Sequence, residues 1–268
     1  MMNSDRIFAL VLRQFYLMRG SLARVVPLFA WVAVDIILWG FLTRYLNVFT
    51  ASGYNFVPAF LGAVLFWDFF IRIMQGIAMA FFEDVWSRNF LNIFASPLTL
   101  PEYLTGLVVS SIATSFVGLI AMILLATLCF GLSLFAYGLM LLPFLLILFL
   151  FGIAIGIFGS AIVLRLGPAA EWFIWPIPAF LSPFVGVFYP VSTLPAWMQT
   201  LAHLLPPSYV FESMRAILAG HAVSWGSLLW SGGLAMMYIM LACGYFTKTY
   251  RHTVRTGLLA RYSVESLS

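Results

Sequence analysis

Charged side chains make up only 8% of this sequence, and lysine occurs once, at Lys248. A soluble domain carries roughly 25% charged residues. A chain with so few cannot cover itself with a water-compatible surface, so most of its surface faces lipid or other protein. The single lysine removes a second class. A phosphate-cradling loop needs Gly-x-x-x-x-Gly-Lys-Ser/Thr, and Lys248 is preceded by Thr247 instead. Ser231-Gly232-Gly233-Leu234 superficially resembles an ATPase signature loop. It opens the last apolar run, where glycines serve helix packing.

Cysteine and histidine are equally sparse. Cys129 and Cys243 both lie inside apolar runs and make neither a disulfide framework nor a metal site. His203, His221 and His252 are scattered, with no metal-ligand spacing, and no Gly-x-Ser-x-Gly nucleophile pattern occurs. A membrane enzyme acting on lipid headgroups would want a cluster of His or acidic residues at one face, which the sequence does not offer. The net charge of +4 comes without basic–aromatic stripes on a polar background, so it does not point to nucleic acid.

What remains is apolar. Hydrophobic residues reach 63%, and the mean hydropathy is +1.05. Spanning helices need about 20 mostly apolar residues, and six segments qualify: Val25–Tyr45, Val57–Phe82, Tyr103–Phe130, Tyr137–Leu164, Trp172–Tyr189 and Ser227–Thr247. The first carries Asp35 and is followed by no small-residue cleavage pattern, so it reads as an uncleaved span. With the N-terminus inside and all six crossing, ten Lys and Arg fall on the cytoplasmic side. Arg44 and Arg215 fall outside, and Arg72 lies within a span. That bias fixes the orientation and favours an even number of crossings. The expected fold is an all-α membrane protein of six transmembrane helices in a single domain, residues 1–268, with a cytoplasmic tail at 248–268.

Three non-spanning stretches carry information. Residues 1–24 mix arginines with Ile7, Phe8, Leu10, Val11, Phe15 and Met18, which suits a helix at the membrane interface. In 83–101, Trp86, Phe90, Ile93, Phe94 and Pro97 recur at helical spacing, and Pro97 ends the short helix. Its apolar face covers either a partner or the bundle itself. The external stretch 190–226 holds four prolines. It reads as two short helices, Pro195–Leu205 and Tyr209–Ala219, with Ser208 as an N-cap and Glu212 and Arg215 on one face.

Several spans contain groups that lipid does not tolerate. Asp35, Asp68 and Arg72 must face the bundle or a wet cavity. Asp68 and Arg72 are spaced i,i+4 with the acid first, and Asp35 can reach Arg72 from the neighbouring helix. Two readings stand: an ion pair that pins helices, or a polar patch along a subunit interface or substrate path. Gly152, Gly156, Gly159 and Ser160 allow close helix contact. Pro176, Pro178 and Pro183 free backbone carbonyls in the fifth segment, which is therefore expected to be broken and to border a cavity or gate.

The run Arg88-Asn-Phe-Leu-Asn-Ile-Phe-Ala-Ser96-Pro97-Leu, then Pro101-Glu102-Tyr-Leu, resembles the coupling segment of ATP-binding-cassette exporter permeases of the type-2 family. Phe188-Tyr189-Pro190-Val-Ser-Thr-Leu-Pro195-Ala-Trp197 and Pro206-Pro207-Ser-Tyr-Val-Phe-Glu212-Ser-Met-Arg215 resemble the same family's external half-helices. The resemblance covers essentially the whole chain. It implies a pair of such subunits, identical in the simplest case, with two separate ATPase subunits docked from the cytoplasm of a bacterial inner membrane. ATP and Mg would be bound by those partners, with no cofactor in this chain. It assigns Trp86, Arg88, Phe90, Phe94, Ser96 and Pro97 to ATPase coupling, and Tyr189, Pro190, Pro195, Glu212 and Arg215 to an external gate. The rival from another class is an ATP-independent carrier or channel centred on Asp35, Asp68 and Arg72.

Overall fold

The computed structural model describes residues 2–20, 22–49, 57–87 and 90–257. Ten α-helices occur among them: α1 Ser4–Arg19, α2 Leu22–Phe49, α3 Gly62–Trp86, α4 Phe90–Ala95, α5 Leu100–Phe130, α6 Leu141–Leu166, α7 Ile177–Val185, α8 Ala196–Ala202, α9 Pro206–Leu218 and α10 Trp225–Arg255. No strand occurs among the described residues.

Helix ends follow local chemistry. Asn3 caps α1 by accepting from the Asp5 amide at 2.9 Å, with Asp5 in the first turn and Arg19 in the last, matching the helix dipole. Thr99 and Glu102 carry the Ser/Thr-x-x-Glu start of α5, with Pro101 in its first turn. Gly131 closes the same helix at φ +70°, a left-handed turn that glycine adopts without strain.

Five helical segments are long and apolar enough to cross a membrane: Phe29–Val48, Ala59–Trp86, Leu100–Phe130, Leu134–Leu166 and Trp225–Arg255. They match five of the six expected spans. Ala59–Trp86 is the central one, with 67% of its most apolar stretch buried against 22% for Phe29–Val48. The expected fifth span, Trp172–Tyr189, is not a continuous helix. It consists of a 3-10 segment, Pro168–Phe173, a turn, and the nine-residue α7. Pro176 precedes α7, Pro178 sits in its first turn and Pro183 inside it. A proline ring removes an N–H and clashes with the turn before it, so an uninterrupted span cannot form.

Side-chain registers give the helix directions. Phe66 meets Phe144 and Phe70 meets Phe151, so α3 and α6 run parallel. Phe151 meets Tyr238 and Phe158 meets Tyr245, so α6 and α10 run parallel as well. α5 is antiparallel to α3: Tyr103 lies by Asp84, and Ser111 donates to the Ile73 carbonyl at 2.9 Å. Two parallel helices in sequence require the chain to return to the starting end. Residues 167–224 make that return between α6 and α10. They begin where the Trp86 indole donates to Glu171 at 2.9 Å. They reach the opposite half where Phe188 stacks on Trp39, with centroids 4.6 Å apart.

The two short helices near 190–226 exist as expected, with shifted ends. The first is shorter, Ala196–Ala202, and the second starts earlier, at Pro206. Ser208 is not an N-cap. Pro206 and Pro207 occupy the first turn, and the Ser208 hydroxyl lies 2.6 Å from the Ala202 carbonyl and 2.7 Å from that of Leu205.

Candidate functional site

At the end of the bundle where α3 stops and α5 starts, α4 forms a short helix between them. Its Ile93 is buried, while Ser96 and Pro97 are exposed. Arg88 lies outside the described residues. Phe90 and Phe94 are described in backbone only, as the first and fifth residues of α4. The helical spacing read through Trp86 breaks there, because Trp86 belongs to the last turn of α3. Trp86 is 50% exposed. It leans on Phe82, and its indole N–H is already engaged by Glu171.

The sequence reading missed what braces this segment. Asp84 and Glu102 flank α4 and are 1% and 0% exposed. The Arg13 guanidinium pairs with Asp84 Oδ1, and the Tyr103 hydroxyl donates to Asp84 Oδ2 at 2.8 Å. Glu102 accepts from the amides of Thr99 and Asn3, both at 2.8 Å, and lies 3.4 Å from Arg6. Arg6 also donates to the Pro97 carbonyl. Gln14 donates to the Ala80 carbonyl at 3.2 Å. Burial lowers the Arg13 pKa from its ordinary value, opposed by Tyr103 and Glu83; an arginine remains charged throughout the accessible range.

These contacts make α1 a strap across both roots of the α4 segment. One arginine holds the end of α3 and the other holds the start of α5. A groove of about 420 Å³ runs between them, lined among others by Arg6, Leu10, Arg13, Ile93, Ser96 and Pro97. The Pro97 carbonyl just after α4 is thereby tied through Arg6 to Glu102 of α5, and the end of α3 is tied to α1 through Asp84. One signal was legible in advance, the Thr99-x-x-Glu102 pattern. The pairings over 71 and 96 residues of sequence were not.

Mid-bundle, Asp35, Asp68 and Arg72 lie close enough for their charges to act on one another, as expected for α2 beside α3. The Arg72 side chain also lies against Gly118 of α5, where an added Cβ would come within 2.8 Å of Nη1.

At the far end, Glu212 and Arg215 form the i,i+3 pair expected of them, at 2.8 Å. Glu212 also accepts from the Val191 amide at 2.7 Å, and Arg215 donates to the Val187 carbonyl at 3.4 Å. Pro190 leads into the turn Val191–Thr193, Pro195 precedes α8, and the Tyr189 hydroxyl donates to the Pro183 carbonyl at 2.8 Å. Gly186, at φ +69°, lets the chain fold back here; a Cβ would lie 2.9 Å from the Tyr189 carbonyl. The pair on α9 thus ties the 187–191 turn down.

Among the described residues no group of His, Cys, Asp and Glu could hold a metal ion. No curated protein matches the chain. The family model for ABC-2 type transporters matches residues 5–219, which takes in α1 through α9. With its long apolar helices and this match over most of its length, the chain is an integral membrane permease subunit and belongs to the ABC-2 type transporter family.

Proposed function

We propose that this chain is the membrane-spanning subunit of an ATP-driven exporter that moves an amphiphilic or glycan substrate, such as a lipid-linked sugar, polysaccharide, lipid or drug. Two copies of a separate ATPase dock on the 83–101 segment, and two permease subunits form the path, in a bacterial inner membrane with both termini cytoplasmic. The broken 168–191 stretch serves as the sixth crossing. The observation that carries the reading is the brace around α4: a six-residue helix whose two roots are held by buried carboxylates and two arginines of α1. Closure of the ATPases on ATP favours one position of α4, and rigid helices pass that bias into the bundle. Tyr189, Pro190, Pro195, Glu212 and Arg215 would form the external gate.

Proteoliposomes holding the permease with its ATPase test the energy source. Transport is expected to require ATP and to survive collapse of ion gradients. Transport that stops with the gradient and ignores ATP would favour the carrier centred on Asp35, Asp68 and Arg72.

A further inference from the structure

One face of α10 changes character along its length. Met237, Met240 and Leu241 are exposed and apolar, and Gly244 follows on the same side with nothing near its missing Cβ. Lys248, Arg251, His252 and Arg255 continue that face, all exposed. Their i, i+3, i+4, i+7 spacing sets them on one side. They line an open surface groove of about 570 Å³ together with Cys243, Gly244 and Thr247, all on α10. Among the described residues none of the four takes part in a salt bridge.

The helix length places this groove. α10 has 31 residues, or about 46 Å at ~1.5 Å per residue, against a hydrocarbon core of ~30 Å. Counted from Trp225, the hydrocarbon ends near Gly244, so the basic stretch begins at headgroup depth. The apolar stretch above it lies at acyl-chain depth. The opposite face of these turns packs inward through Phe246, Thr249 and Thr253, so the charges share the outward face. Here three permanent cations and a histidine converge on one groove that runs directly into an exposed apolar strip.

We propose that this face of α10 binds a phosphate-bearing amphiphile, an anionic phospholipid of the inner leaflet, with the phosphate on Lys248, Arg251 and Arg255 and a chain along Met240 and Leu241. The site needs the cytoplasmic placement of the α10 end but not ATPase docking, so it can stand or fall independently of the coupling reading.

The test uses the purified full-length chain in a neutral detergent containing equal phosphatidylglycerol and phosphatidylcholine, with retained lipid counted by native mass spectrometry after washing. Phosphatidylglycerol should be retained preferentially. Lys248→Gln/Arg251→Gln should reduce its retention about 25-fold, on the basis of about fivefold per cation removed at the membrane surface. Lys248→Arg/Arg251→Lys keeps the charge and should retain the lipid, which separates loss of charge from loss of fold. Inorganic phosphate at the same concentration should displace little of it. Equal retention of the two lipids, unchanged retention in the glutamine variant, or full displacement by inorganic phosphate would each overturn the assignment, the last in favour of a soluble phosphate site.

Discussion

Arg13→Ala is expected to detach α1 from the bundle and to lower stability by about 3 kcal/mol. The reasoning starts with Asp84, whose side chain is 1% exposed. In the native chain its carboxylate has two partners, Arg13 and the Tyr103 hydroxyl. Removing the arginine leaves a buried charge with one neutral donor. Breaking a fully buried pair costs about 3–5 kcal/mol. The Arg13 side chain is 30% exposed, so water already screens part of the attraction, which argues for the lower end. The control is to remove the whole network. Arg13→Met/Asp84→Leu/Tyr103→Phe leaves no charge and no orphaned hydroxyl, and should recover most of the loss. Denaturant unfolding in micelles, followed by tryptophan fluorescence, reads both. If Arg13→Ala unfolds at the wild-type midpoint, the strap contributes no stability, and α1 only rests on the bundle.

Gly156→Leu should be the most damaging substitution at a helix crossing. An added Cβ at Gly156 lies 2.9 Å from the Met74 carbonyl and 2.9 Å from Ile77 Cβ, and one turn earlier Gly152 lies equally close to Ile73. The Met74 contact is with backbone, which cannot rotate away. Small residues in membrane bundles let backbones approach, and association there depends on such packing. Overpacking a tight core costs about 1–3 kcal/mol. Here the insertion also pushes α6 from the most buried helix, so the upper end applies. Gly244→Leu is the comparison, because nothing lies within 4 Å of that position. Thermal unfolding of the two variants in one detergent should show a drop of several degrees for Gly156→Leu and little change for Gly244→Leu. Similar behaviour of the two would mean that α3 and α6 do not pack this closely.

These two sites differ in how far the sequence foretold them. Glycine at 152, 156 and 159 is a local pattern, and it marks a close crossing without naming the partner helix. The prolines at 176, 178 and 183 likewise foretold a broken segment, because proline acts on its own turn. Five of the spans were legible from apolar length alone. The Glu212–Arg215 pair was legible because both residues sit on one helix. The strap was not. Arg6 and Arg13 read only as arginines of an interfacial segment, since nothing local says which distant charge a buried acid will meet. Ser208 misled for a related reason: a good capping residue follows two prolines that already start the helix.

The same contrast bears on function. Membership of the ABC-2 type transporter family rests on the match over residues 5–219. The docking role proposed for α4 rests on its sequence pattern and on the brace beside it. Both meet in one experiment, co-purification of the permease with a candidate ABC ATPase, for wild type and Phe90→Asp/Phe94→Asp. The charges would spoil an apolar docking face on α4 and leave the spans untouched. The account predicts that wild type retains an ATPase active in hydrolysis, while the variant elutes as a folded, monodisperse protein without it. Equal retention by both forms would remove Phe90 and Phe94 from the docking face, and failure of the wild type to hold the ATPase would contradict the central claim.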